Sequence, residues 1–375
     1  MEIILYSLFV FYTAWMVWFI IGMKQIKTTI QKPETSYFED FSIIIPFRNE
    51  EINLPALLHS LSQLDYPTEH FKIYWVNDDS SDDSVQVIET ILKHHPQISY
   101  EILNNHRESI SPKKDAINWA MQHLKTQWII TTDADCILPK DWLQLFNQTI
   151  EETQAEMIVG SVLITESNQL LNQFQYFDLL SLQGVTLGSF GQKNGFLCNG
   201  ANLAYTKELF RQINGFTNNQ NIASGDDVFL LQEAQKQHKN IEYLLSPNHL
   251  VFTQAESTWK KLFHQRVRWA AKTTQYTLPL SKIIALVVFI TNLATILLPV
   301  SALNDSIDSE KAVRFFILKI LIDAVFLTVT AQKLNQKIKW GTYLINSILY
   351  PLFSCAVALY SWTGKYQWKG RTFAQ

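Results

Sequence analysis

The chain is poor in cysteine: Cys136, Cys198 and Cys355 are its only three in 375 residues. They lie too far apart for zinc-ligand spacing, and an odd, sparse set is no disulfide framework, which excludes a stapled secreted scaffold and fits a reducing compartment. Positive charge is not in surplus either. With 31 Lys and Arg against 34 Asp and Glu the net charge is −3, so no broad basic field favours nucleic acid. Internal repeats and low-complexity linkers are missing. The first apolar run, Leu5–Ile21 ("LYSLFVFYTAWMVWFII"), carries no charge. It also lacks the cationic leader and small-residue cleavage site of a signal peptide, so it is read as a membrane span.

What the chain does have is further apolar length near its other end. Ile283–Val300 and Tyr343–Trp362 are both uncharged. Between them Ala312–Thr330 is apolar but holds Arg314, Lys319 and Asp323. Charges at bilayer depth cost a few kcal/mol each, so this segment reads as a buried span, a shallow helix or a functional one.

Between these regions, about Glu34 to Gln275, apolar strand-like runs alternate with helical stretches. Strands are expected at Phe41–Pro46, Lys72–Val76, Tyr100–Leu103 and Trp128–Thr132, and helices near Asn53–Leu64, Ser84–His94 and Asp115–Leu124. The alternation predicts an α/β fold with a doubly wound, mostly parallel sheet. Ligands of such sheets bind beyond the carboxyl ends of the strands. Three of the expected ends are polar: "PFRNEE" at 46–51, "NDDSSDD" at 77–83 and "DADC" at 133–136.

Asp133 and Asp135 raise a specific question. If the strand continued through them, residues two apart would share a face, and two like charges there would call for a cation between them. Hard divalent cations take oxygen ligands, and Mg²⁺ keeps few protein carboxylates while filling its shell with phosphate oxygens and water. The pair therefore points to a metal–diphosphate site. A polar strand end that caps the following helix is the competing explanation.

Six segments then fall in a recognisable order. "SIIIPFRNEE", "VNDDSSDDS", "KKDAIN", "DADC", "SGDDVFL" and "QRVRW" resemble the motifs of family-2 glycosyltransferases of GT-A fold. These transfer a sugar from a nucleotide diphosphate with inversion. The resemblance spans nearly all of 41–269. Asn77 stands where the family has a first Asp, and Pro112 where it has a glycine, which stiffens that loop.

The resemblance implies roles. Pro46, Arg48, Glu50, Asp78, Lys113 and Asp133 would bind the nucleotide, with Asp78 on the uracil and Lys113 near the diphosphate. Asp135, with Asp133, would hold Mg²⁺ or Mn²⁺, whose Lewis acidity offsets leaving-group charge. Asp227 would be the general base, supported by Asp226, although acidic residues also suit a helix N-terminus through its dipole. Asn199 and Gly200, in a stretch whose small residues admit a sugar, would line a donor or acceptor sugar pocket, with Asn202 as a further hydroxyl contact. Gln265, Arg268 and Trp269 would complete it. Cys198 is read as a small packing residue.

The expected organisation is an N-terminal transmembrane anchor at 1–33, a cytosolic GT-A domain at 34–256, an amphipathic interface helix at 257–277 and a C-terminal transmembrane region with basic tail at 278–375. Trp259, Leu262, Phe263, Arg266 and Ala270 recur at helical spacing beside basic residues, which suits a membrane surface. A surface helix packed on the sheet is the alternative. Lys24, Lys27 and Lys32 follow the first span, as a cytosolic flank would, while the basic tail at 364–371 argues against three spans after the domain. The expected partners are a UDP-sugar, a lipid or polysaccharide acceptor and the bilayer, in a bacterial inner membrane, with no nucleic acid. A processive polysaccharide synthase shares the Gln-x-x-Arg-Trp motif. Four candidate spans are few for a polymer pore, which favours the lipid acceptor. A non-catalytic relative is disfavoured because the carboxylates expected for metal binding and base catalysis, Asp133, Asp135, Asp226 and Asp227, are present.

Overall fold

A computed structural model describes residues 2–29, 37–362, 365–368 and 371–373. Lys32, Lys369 and the expected boundary at 33/34 lie outside the described residues. The chain divides into two units. One holds residues 27–165 and 197–254, the other 1–26, 166–196 and 255–375. The second unit opens the chain with helix α1 (Glu2–Gln25).

The sheet unit carries strands β1 (Phe41–Phe47), β2 (Phe71–Asn77), β3 (Ser99–Asn104), β4 (Trp128–Thr131), β5 (Cys136–Ile137), β6 (Met157–Gly160), β7 (Val162–Ile164), β8 (Leu203–Thr206), β9 (Ile241–Leu244) and β10 (Val251–Thr253). Helices α2 (Leu54–Ser62), α3 (Ser84–Leu92), α4 (Pro112–His123) and α5 (Trp142–Thr153) cross between the early strands. Seven strands form one sheet in the order β3-β2-β1-β4-β8-β6-β9. β8 alone runs antiparallel to its neighbours β4 and β6. The order steps outward from β1 to β3, returns and continues through β4, as in a doubly wound sheet. Ile43, Ile45, Trp75 and Ile130 are fully buried in the core against α2 and α5 residues such as Leu57, Leu58 and Phe146. Register pairs Phe47 with Asn77 and Asn77 with Asn104. The carboxyl ends of β1, β2 and β3 are therefore level, and their polar loops emerge along one edge. A second, three-stranded sheet runs β5-β10-β7.

The helical unit gathers α1 with α6 (Leu170–Gly191), later joined by α9 (Trp259–Ala271), α10 (Pro279–Leu303), α11 (Ser309–Lys333) and α12 (Trp340–Ser361). Helices α7 (Lys207–Gln212) and α8 (Asp226–Lys236) belong to the sheet unit. α6 departs from the expected continuous 34–256 domain. It is buried nearly all round, and its glycines let it approach α1 closely. A Cβ on Gly188 would lie 2.6 Å from Phe19 Cα, and one on Gly22 would lie 2.0 Å from the Gly188 carbonyl oxygen. Small residues at such crossings are the usual means of tight helix packing in membranes.

Among the described residues three helices are long and apolar enough to cross a membrane: α1, α10 and α12. The charged segment 312–330 lies within α11, one continuous 25-residue helix. Two of its charges turn inward: Lys319, 3% exposed, pairs with Asp323, and Tyr12 Oη donates to Asp323 Oδ1 at 2.7 Å, whereas Arg314 is exposed and pairs with Glu310 at 2.5 Å. α9 forms as expected, but Arg266 is not on a basic surface. It is buried, with Nε 2.5 Å from Asp178 Oδ2. Strands β11 (Tyr366–Trp368) and β12 (Arg371–Phe373) close the unit as an antiparallel ribbon.

Candidate active site

The polar edge of the sheet unit is laced together before any ligand arrives. Arg48 Nη1 donates to the carbonyls of Asp78 and Asp79 at 2.6 and 2.5 Å. Asn49, in the left-handed region at φ 52°, accepts from Ser81 N–H at 2.8 Å through Oδ1. Asp82 Oδ2 accepts from Glu51 N–H, and Glu51 Oε2 accepts from Asp83 N–H, each at 3.1 Å. The loops after β1 and β2 thus form one scaffold. Glu50 is buried, and its Oε2 accepts from Asn53 Nδ2 at 2.7 Å. Arg48 and Glu50 therefore have bonds that hold loops, and Pro46, still inside β1, is half-buried.

Asp78 lies at the end of β2 and is 4% exposed. Its Oδ1 accepts from Asn105 Nδ2 at 2.8 Å and lies 3.6 Å from Arg107 Nη1. Arg107 also reaches Asp115 Oδ2 at 3.1 Å. Asn105 and Arg107 follow β3 in "NNHR". The level strand ends mark this as a fourth polar cluster, which the sequence reading passed over.

The carboxylates of 133–136 do not lie on a strand. β4 stops at Thr131, and Cys136 N–H donates to the Asp133 carbonyl at 3.2 Å, closing a turn. The two side chains are therefore set by a turn and not by strand alternation, and they have separate partners. Asp133 meets a cation, Lys113, whose Nζ lies 2.6 Å from its Oδ1. Asp135 Oδ2 accepts from Thr253 Oγ1 at 3.1 Å. Burial and the two carboxylates push the Cys136 thiol well up, so it stays protonated.

Lys113 is placed by α4. Pro112 occupies the first helical turn, where its missing N–H and fixed φ are tolerated, so the helix begins three residues before the expected Asp115. Nζ of Lys113 lies 3.2 Å from Asp226 Oδ2 as well. Burial opposes its charge, but Asp133, Asp226 and Asp227 together outweigh that and hold its pKa far above the usual lysine value. The next residue, Lys114, is 1% exposed and donates to the carbonyls of Asn219 and Ile222 at 2.7 and 2.9 Å. It anchors the loop leading to α8, a role the paired lysines in sequence did not reveal.

α8 starts from Gly225, whose φ of 84° suits glycine, and puts Asp226 and Asp227 in its first turn. Asp227 Oδ2 accepts from Gly200 N–H at 3.1 Å, and its Oδ1 from Val228 N–H at 2.7 Å. Gly200 sits close against the cluster: a Cβ there would lie 3.0 Å from both Asp226 Oδ2 and Lys113 Nζ. Asn199 Oδ1 accepts from Ala201 N–H at 3.0 Å. Asn202 departs from its expected place in a sugar pocket. It is buried, accepting from Trp142 Nε1 at 3.0 Å and donating to the Ser161 carbonyl at 2.9 Å. Both ends of the amide are engaged in the core.

The structure thus brings Lys113, Asp133, Asp226, Asp227 and Gly200 together in the sheet unit. Gln265, Arg268 and Trp269 belong to the helical unit. There Gln265 Nε2 donates to Glu256 Oε1 at 3.0 Å, and the Arg266 guanidinium lies 4.1 Å from the Trp269 ring centroid. One indole face is therefore covered by a cation.

Among the described residues no three His, Cys, Asp or Glu side chains gather into a metal cage. The donor set nonetheless fits a divalent cation shared with phosphate. One ammonium faces three carboxylates, Asp133 is 39% exposed, and all the donors are hard oxygens.

A mostly parallel sheet with acidic strand-end loops around one lysine is the architecture of a GT-A-type glycosyltransferase. The solved structure of a mannosyltransferase from Pyrobaculum calidifontis, in complex with GDP-Man and Mn²⁺, shares the fold: TM-score 0.62, 16% identity, 94% of this chain and 98% of that one. The chain belongs to glycosyltransferase family 2. "Glycosyl transferase family 2" matches residues 42–213, and "Glycosyl transferase family group 2" matches 128–370. Among curated relatives, the beta-monoglucosyldiacylglycerol synthase of Synechocystis is 22% identical over 277 residues, covering 68% of this chain and 55% of that protein. The probable glycosyltransferase YdaM of Bacillus subtilis is 24% identical over 234 residues, covering 61% and 54%. The chain spans about half the length of these curated relatives.

Proposed function

We propose that the protein moves a sugar from a UDP-sugar to a lipid hydroxyl at the cytosolic leaflet of a bacterial inner membrane, with inversion. The observation that carries this is Lys113, whose Nζ is bonded at once to Asp133 and Asp226. It joins the donor-side turn to the helix that carries the base.

Asp78, braced by Asn105, receives the uracil, and the scaffold tied by Arg48 and Glu50 beside Pro46 shapes that pocket. Asp135, with Asp133, would hold Mg²⁺ or Mn²⁺, whose part is to offset charge on the departing diphosphate. Lys113 adds an ammonium on the same side. Asp227 takes the acceptor proton as the hydroxyl oxygen bonds to the anomeric carbon. The bond from that carbon to the diphosphate breaks on the opposite face, and the nucleoside diphosphate leaves with the electron pair. The backbone N–H of Gly200 fixes the Asp227 carboxylate, and Asp226 keeps Lys113 in place. In the sheet unit Asn199 is assigned to a sugar contact, and in the helical unit Gln265, Arg268 and Trp269 are assigned to acceptor contacts.

The lipid acceptor is supported by three helices apolar enough to span a bilayer and by the name of the Synechocystis relative. We assign α1, α10 and α12 as spans, α9 as an interface helix, and the cytosolic side to the sheet unit, since Lys24 and Lys27 follow the α1 apolar run. The test is incubation of membranes containing the protein with labelled UDP-sugars, Mn²⁺ and host lipid extract. Label extracted into organic solvent supports the reading and names the sugar. Label in a large water-phase or insoluble product overturns it in favour of a polysaccharide synthase.

A further inference from the structure

Asp135 is held from outside its own turn. Thr253 Oγ1 donates to Asp135 Oδ2 at 3.1 Å, and backbone pairing on both sides of β10 fixes where that hydroxyl falls. Toward β5, Thr253 lies opposite Cys136, the residue that follows Asp135. Toward β7, it lies opposite Ile164, and its carbonyl accepts from Thr165 N–H at 3.0 Å. Three strands of two, three and three residues thus converge on one contact between a hydroxyl and a carboxylate oxygen.

The strand itself does not require the hydroxyl. Valine has the same β-branched shape and an equal or better preference for strands. The carboxylate does benefit from it. Asp135 sits in a turn, where no strand register restricts its side chain, and a ligating carboxylate that swings between rotamers binds a cation poorly. Hydrogen bonds to ligating groups commonly carry about 10- to 100-fold in metal affinity or activity.

We infer that Thr253 is the positioning residue for the cation-binding carboxylate, fixing Asp135 through its hydroxyl. The inference rests on the reading of Asp135 as a metal ligand. Its test is Mn²⁺ titration of the full-length protein in micelles with UDP present, free Mn²⁺ being read by electron paramagnetic resonance. Thr253→Val raises the apparent dissociation constant about 10- to 100-fold, Thr253→Ser stays near the wild type, and excess Mn²⁺ restores transfer by Thr253→Val. Asp135→Asn loses binding. If Thr253→Val binds Mn²⁺ like the wild type while Asp135→Asn does not, the threonine is structural only and the inference falls alone. If Thr253→Ser loses as much as Thr253→Val, the hydroxyl is not the cause and it falls again. If Asp135→Asn binds normally, the ligand reading fails and takes the inference with it. Thr253→Ala substitutes as the hydroxyl-free variant if the valine variant unfolds.

Discussion

The two units bury cations in opposite ways. In the helical unit the buried cations Arg266 and Lys319 each have their own carboxylate. Arg266 pairs with Asp178, both at 8% side-chain exposure, and Lys319 pairs with Asp323, which Tyr12 also bonds. These are closed, neutral pairs, the form in which charge can be buried among apolar helices. In the sheet unit one lysine faces Asp133, Asp226 and Asp227, and Asp133 is well exposed. Negative charge is in excess at an open edge. A closed pair has nothing left to offer a ligand, whereas an excess of acceptors can take a cation or a proton. The difference separates charges that hold the fold from charges arranged for chemistry.

The contrast can be broken from either side. The largest effect is expected from Lys319→Met, which leaves Asp323 without its cation and destabilises the protein by about 3–5 kcal/mol. Adding Asp323→Leu should recover most of that loss, as unfolding in micelles would report. Lys113→Met should act on turnover instead, lowering kcat/KM by about 10²–10³-fold; comparable losses of stability for the two lysine variants would erase the distinction. Gly22→Val tests packing without charge. Its side chain would enter the Gly188 backbone, at a cost of about 1–3 kcal/mol in overpacking, read as a lower melting temperature.

The smallest expected effect is at Asp141, fully buried with His249 Nδ1 3.2 Å from Oδ2. Burial raises its pKa, and His249 opposes this only in part. A carboxyl whose folded pKa lies above its unfolded value contributes stability below the unfolded value, and that stability is lost as pH rises through the folded one. Asp141→Asn avoids the loss. It should therefore be more stable than the wild type at about pH 8, with the gain shrinking toward about pH 4.

Much of this was legible in the sequence. Alternating apolar runs gave β1 to β4 within about a residue at most ends, because buried parallel strands must be apolar and their loops must be polar. The motifs singled out Lys113 and Asp133 for the nucleotide and Asp226 and Asp227 for the base, and the fold brings Lys113 within 2.6 Å of Asp133 and 3.2 Å of Asp226. What escaped depends on three-dimensional pairing. α6 reads as a middle segment of a soluble domain until Gly184, Gly188 and Gly191 are seen to form a face. The strand-alternation argument at Asp133 and Asp135 failed because β4 ends two residues earlier and a turn takes over. Asn202 and Lys114 are polar and lie beside motif residues, yet both serve the core, since a buried polar group needs partners wherever the chain supplies them. Thr253 was invisible because its contact spans 118 residues of sequence.

The most direct test of the central claim, that the open cluster is the transfer centre, is the turnover of Asp227→Asn alongside its affinity for UDP. The account predicts that kcat falls by about 10²–10⁴-fold while UDP binds as in the wild type. Turnover close to wild type would contradict it and move the base elsewhere.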